Sequence, residues 1–153
     1  MNKTLLDYEH SLEVVLPFLQ VVLKNFEIFP VLLGDSSKEN VEKIADELYE
    51  VLKNKENWII VASTDLSHYY PYETAKKKDL LLLETLKTKN LNLLYKYLKN
   101  RKIEMCADAA VLTLLKIAQK FPDYEVKVLN YANSGDTSGD KSKVVGYLSL
   151  IHI

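Results

Sequence analysis

The run "WIIVA", residues 58–62, decides how this chain is read. It is too short and too uniformly apolar for a surface helix, so "NWIIVAS" (57–63) is expected to be a central parallel strand buried on both faces. The change after it is abrupt. "STDLSHYYPYETAKKKD" (63–79) places Ser63, Thr64, Asp65, Ser67 and His68 directly after the apolar run. In open parallel sheets ligands bind beyond the carboxyl ends of the strands. Asp65 and His68 fall there, three residues apart, so that one tight loop or helical turn aims both at one point. A carboxylate beside an imidazole can fix its tautomer, raise its basicity or share a metal with it. The plainer alternative is a helix cap, since Ser, Thr and Asp after a strand commonly start the next helix.

Upstream of the run, "SSKENVEKIADELYEVLKN" (36–54) predicts an amphipathic helix with Val41, Ile44, Ala45, Leu48 and Leu52 along one face and Ser36 or Ser37 as cap. "FEIFPVLLG" (26–34) predicts a buried strand ending at Gly34. Residues 11–24 have helical spacing, with Pro17 set to kink or restart the helix. Downstream, helices are expected from Pro71 to about Lys87, over 91–99 and over 107–120. "YEVKVLNYAN" and "KVVGYLSLIHI" predict an antiparallel strand pair joined by the loop "SGDTSGDKS". The pattern is α/β, a layered sheet flanked by helices, within one domain spanning 1–153. Its first element is a helix starting almost at Met1, which leaves few strands, so the chain reads as part of such a domain.

A length of 153 residues buries about two thirds of the unfolded surface. A net charge of −1 gives no electrostatic reason to expect nucleic acid. A single cysteine rules out an intrachain disulfide and points to a reduced intracellular setting. The first ten residues lack the apolar core of a signal peptide, and no apolar stretch approaches a membrane span. A cytoplasmic protein without a membrane partner is expected.

Three further candidates carry chemistry. Cys106, in "IEMCADAAV", precedes the longest clean helix, where the dipole favours a thiolate; a small buried hydrophobe is the alternative. Glu9, His10 and Glu13 form an acid–base cluster or simply a helix start. His152 lies on an apolar strand, structural or exposed. "NSGDTSGDKS" (133–142) suggests a phosphate or calcium loop, but it lacks the spacing of either, and a hairpin connection suffices. Lys76–Lys78 read as a solvated helix face.

Four stretches, in order, resemble segments of the Memo-like proteins, the AmmeMemoRadiSam system protein B family: "EHSLEVVLPFLQ", "STDLSHYYPYETAKKKD", "MCADAAVLTLL" and "NSGDTSGDKSKVVGY". The resemblance extends over essentially the whole chain. It implies a fold like that of the class III extradiol dioxygenases and a pocket able to hold iron or another transition metal. It makes His68 and Asp65 the pocket pair, as base or ligand and its partner, and makes Cys106 a soft metal ligand beside His68. Glu9 and His10 match the "EHS" motif as further pocket candidates. Two departures stand out. Cys106 is followed by Ala107-Asp108-Ala109-Ala110 where the family has glycine, and the two histidines implied in the family's first half have no counterpart among His10, His68 and His152. The chain therefore resembles the C-terminal half only, a truncated domain. The expected function is that of a Memo-like metal- or small-ligand-binding protein, a remnant of a non-haem-iron oxidoreductase, with weak or no metal held by this chain alone. The alternative is a non-enzymatic module holding a peptide in the same cleft through Tyr69, Tyr70 and Tyr72. A homodimer or the missing N-terminal half is the expected partner for the open edge of the sheet.

Overall fold

A computed structural model describes residues 10–121 and 123–152, the side chain of His152 excepted. Glu9 therefore lies outside the described residues, as does the side chain on which the reading of His152 depends. Among the described residues no helix is long and apolar enough to cross a membrane.

The helices follow their sequence stripes. The stretch at 11–24 breaks into α1 (His10–Glu13) and α2 (Leu16–Val22), with Pro17 in the first turn of the second. A proline there gives up no hydrogen bond that the helix would have made. In α3 (Lys38–Leu52) the Ser37 hydroxyl accepts the N–H of Asn40, and Val41 and Ala45 turn inward. The strand β1 (His68–Tyr70) comes next, then α4 (Tyr72–Lys87) and α5 (Leu91–Lys99), whose Asn90 cap accepts the N–H of Leu93. The last helix of the core is α6 (Asp108–Ala118).

β2 (Val126–Asn133) and β3 (Val144–His152) form the expected antiparallel pair, from Val126 opposite His152 to Asn133 opposite Gly146, with a register shift between Val128 and Asn130. Their connection is more ordered than a plain loop. A short helix α7 (Ser134–Ser138) is closed at its start by the reciprocal Asn133–Asp136 capping box. Gly139, at φ +78°, closes its end. The sheet runs β1-β3-β2 and is antiparallel throughout. Helix α4 packs on all three strands, while α3 and α5 pack on α6. Val41, Leu66, Leu82, Leu86, Leu94, Ile103, Leu112 and Leu115 make the core. At about 2 kcal/mol for each large side chain, these residues carry most of the stability of the fold.

Two expectations need correction. Residues 26–34 and 57–63 belong to no helix and no strand ladder among the described residues. Their side chains stay largely outside: Phe29 is 86% exposed and Ile59 74%. Ordering a strand costs about 1–2 kcal/mol per residue in backbone entropy, offset only by a ladder and by burial. Neither is supplied to these segments here. The sheet is accordingly small and antiparallel, without the central parallel strand, and its third strand is β1, inside the polar motif itself.

Candidate functional site

The polar motif is clamped to the loop before α6 at three points. The Thr64 hydroxyl accepts the N–H of Ala107 at 3.0 Å and donates to its neighbour's carbonyl, Asp65 O, at 3.0 Å. The backbone of Asp65 pairs with Cys106 in both directions. Its N–H donates to the Cys106 sulfur at 3.1 Å, and its carbonyl accepts the Cys106 N–H at 3.1 Å. The Tyr70 hydroxyl donates to Glu104 at 2.7 Å, and Lys78 of α4 reaches the same carboxylate at 2.9 Å. The Lys78 ammonium also sits over the Tyr70 ring, 5.0 Å from its centre.

A second lock lies beneath. The motif continues into β1, with Leu66 and Ser67 tied to Gly146 of β3 by backbone hydrogen bonds of 2.9 and 3.0 Å. Asp79, fully buried on α4, accepts the N–H of Ser67 at 3.1 Å and the hydroxyl of Tyr131 at 2.9 Å. Burial and the Asp79 carboxylate push the Tyr131 phenol far above its ordinary range, so that it stays a donor. Gly146 is required at this point: a Cβ there would stand 1.9 Å from Asp79 Oδ2.

Three of the residues singled out from sequence do converge. The Asp65 carboxylate faces the His68 ring, Oδ2 to Nε2 at 3.7 Å, an ion-pair distance rather than a hydrogen bond. Its backbone holds the Cys106 sulfur, which also meets the Thr64 hydroxyl at 3.5 Å. Cys106 is exposed, not the buried hydrophobe of the plainer reading. His10 instead turns to Glu13, 3.2 Å away on exposed α1. Cavities of about 330 and 410 Å³ lie against α5 and α6, and neither is lined by Asp65, His68 or Cys106. These three stand on a rim of the fold where Asp65 and His68 are partly exposed and Cys106 is exposed. Among the described residues no three His, Cys, Asp or Glu side chains are placed to hold one metal ion. Protein metal sites ordinarily use at least three such ligands, so the described residues alone do not make up such a set.

Beside the rim stand Tyr69, which the sequence offered only as one of a tyrosine cluster, and Tyr147, which the sequence analysis did not single out. Tyr69, at φ +61°, breaks the β1–β3 register between His68 and Tyr70 and turns its own ring outward, 71% exposed. Its ring meets that of His68 edge-on at 5.7 Å. Tyr147 of β3 has its phenol pushed up by burial, then by the charges of Asp65 and Tyr69. Asp79 was hidden in the charged run "KKKD", yet its spacing from Ala75, Leu82 and Leu86 puts it on the buried stripe of α4.

Comparison with known proteins agrees with the order of these motifs. The Memo-like protein family model matches residues 1–151. A MEMO1 family protein of Thermotoga neapolitana is 45% identical over 143 residues, covering 94% of this chain and 50% of the relative. One from Sulfolobus acidocaldarius is 36% identical over 145 residues, covering 94% and 51%. The chain thus spans about half the length of the curated relatives it matches. With a family match across both the polar motif and the cysteine loop, this chain belongs to the Memo-like protein family.

Proposed function

We propose that this chain supplies one side of a ligand site in an extradiol-dioxygenase-like Memo fold. In this reading the rim of Asp65, His68 and Cys106 binds a metal ion or a small polar ligand that further residues, outside this chain's described set, help to hold. The observation that carries it is the double engagement of Asp65, whose backbone fixes the Cys106 sulfur while its carboxylate faces His68. Two residues separated by 38 positions are thereby brought to the same carboxylate-bearing residue, Asp65. Imidazole and thiolate together suit a borderline-soft cation, and the nearby carboxylate orients the ring. Titration with zinc alone, followed by calorimetry, tests this. Weak binding that falls at least tenfold in both His68→Ala and Cys106→Ser supports a shared site. Binding equal in the parent and both variants removes it.

A non-enzymatic peptide module is the second reading, favoured by the exposed rings of Tyr69 and Tyr147 beside the rim. It predicts that Tyr69→Ala and Tyr147→Ala weaken capture of peptides from a displayed library, whereas His68→Ala leaves it intact.

A further inference from the structure

Three lysines from separate parts of the chain meet at one cavity away from the rim. The hollow of about 410 Å³ lies where α3, α5 and α6 come together, and Lys38, Lys89 and Lys116 stand in its wall. Lys38 is the first residue of α3, Lys89 directly precedes the Asn90 cap of α5, and Lys116 is in the last turn of α6. Among the described residues of that wall Glu42 is the one carboxylate, and it accepts Lys116 at 3.0 Å. Lys89 donates to the Tyr124 carbonyl, a neutral group that leaves its charge in place. Three lysines against one glutamate give the lining an excess of two positive charges.

The backbone adds to this excess. The first N–H groups of a helix have no acceptor within it and carry the positive end of its dipole. Two helices begin at the cavity, with Lys38 of α3 and Leu91 and Asn92 of α5 lining it. The Asn90 side chain takes the N–H of Leu93, so those of Leu91 and Asn92 are open to an acceptor from outside the helix. Lys38 is set against its own helix, because a cation at an N-terminus is disfavoured. A further feature is independent of the helix ends. Tyr95 of α5 lines the same cavity, and its hydroxyl is closed off from solvent with no hydrogen-bond partner among the described residues. Burial, then the charges of Glu42 and Asp108, raise the phenol above its ordinary range and keep it a donor. A buried donor without an acceptor costs stability.

Ammonium groups, helix-start N–H groups and an unused phenol donor call for one kind of ligand, an anion with several acceptor oxygens. We propose that this cavity binds the phosphate group of a small phosphorylated polyol, held by Lys38, Lys89 and the N–H groups of Leu91 and Asn92. Its volume of about 410 Å³ lies within the range of small-molecule sites, about 300–1,000 Å³, and leaves room beyond a bare phosphate. The side-chain amides of Asn92 and Gln119 and the Glu42 carboxylate, in the same wall, suit the hydroxyl groups of the remainder. The net charge of −1 argues against a polymeric phosphate. Asp65, His68 and Cys106 take no part in this lining, so the site stands apart from the function proposed above.

Amide NMR spectra of the full chain, titrated with inorganic phosphate, glycerol phosphate and glycerol, test this, with sodium chloride at matched ionic strength as control. The N–H signals of Lys38, Leu91 and Asn92 are expected to shift and saturate with both phosphates and not with glycerol. Glycerol phosphate is expected to bind at least threefold more tightly than inorganic phosphate. Lys38→Glu and Asn92→Asp separate binding from folding, since both residues are exposed. Each puts a carboxylate at a helix start, where the dipole favours it. Stability by urea titration should therefore be held or raised while phosphate binding weakens at least tenfold. Binding equal to the parent's in both variants overturns the proposal. Shifts that chloride reproduces mean an adventitious ion only and overturn it as well. Equal affinity for the two phosphates overturns the assignment of a polyol. Loss of stability in both variants overturns the reading of Lys38 and Asn92 as ligand groups, since they would then serve the fold.

Discussion

Gly146→Ala isolates the contact that sets the motif on the sheet. The new methyl group would lie 1.9 Å from Asp79 Oδ2, well inside van der Waals contact. The carboxylate cannot withdraw freely, because it holds the Ser67 N–H and the Tyr131 hydroxyl in a fully buried place. Overpacking costs about 1–3 kcal/mol. Displacing a charged acceptor from its two donors adds about 1.5–3 kcal/mol for each bond broken. With one bond lost and partial relaxation, the expected destabilisation is about 4 kcal/mol, a fall in Tm of roughly 8–16 °C. Urea titration followed by far-ultraviolet circular dichroism measures it. Asp79→Ala alone should cost about 3 kcal/mol, since it leaves both donors unpaired. The double variant has no carboxylate to clash with, so it should be little worse than Asp79→Ala alone. The coupling between the two changes is then about 4 kcal/mol. Additive effects in the double variant, or a loss below about 1 kcal/mol for Gly146→Ala, would refute the packing argument.

Glu104 is raised by burial, but the hydrogen bonds from Tyr70 and Lys78 outweigh this and leave its carboxyl below the ordinary value of 4.5. Its contribution is therefore complete above about pH 4.5 and lost as pH falls through the lowered folded-state value. Glu104→Gln should flatten the acid limb of stability against pH while leaving its neutral plateau lower than in the parent. Tyr69→Gly removes a left-handed conformation that costs a bulky residue about 1 kcal/mol or more. Stability by urea titration should stay within about 1 kcal/mol of the parent, because the ring is already outside; a larger loss would mean that the ring packs.

The parts of the fold legible in sequence are those whose stabilising partners are local or follow an uninterrupted pattern. Helix α5 runs from Leu91 to Lys99 as expected, because its apolar spacing and Asn90 cap lie within one short stretch. The β2–β3 pair followed from two apolar segments around one connection. Residues 26–34 and 57–63 carry the composition of strands, but a strand also needs a neighbour, and composition cannot say whether one is present. β1 failed for the complementary reason. Two of its three residues, His68 and Tyr70, pair with Val145 and Val144, more than seventy positions away, and a left-handed Tyr69 interrupts the pairing. At the site, the residue types of Asp65, His68 and Cys106 were visible. Thr64 was visible only as one polar residue among several, because its role depends on Cys106 and Ala107, 42 and 43 positions on.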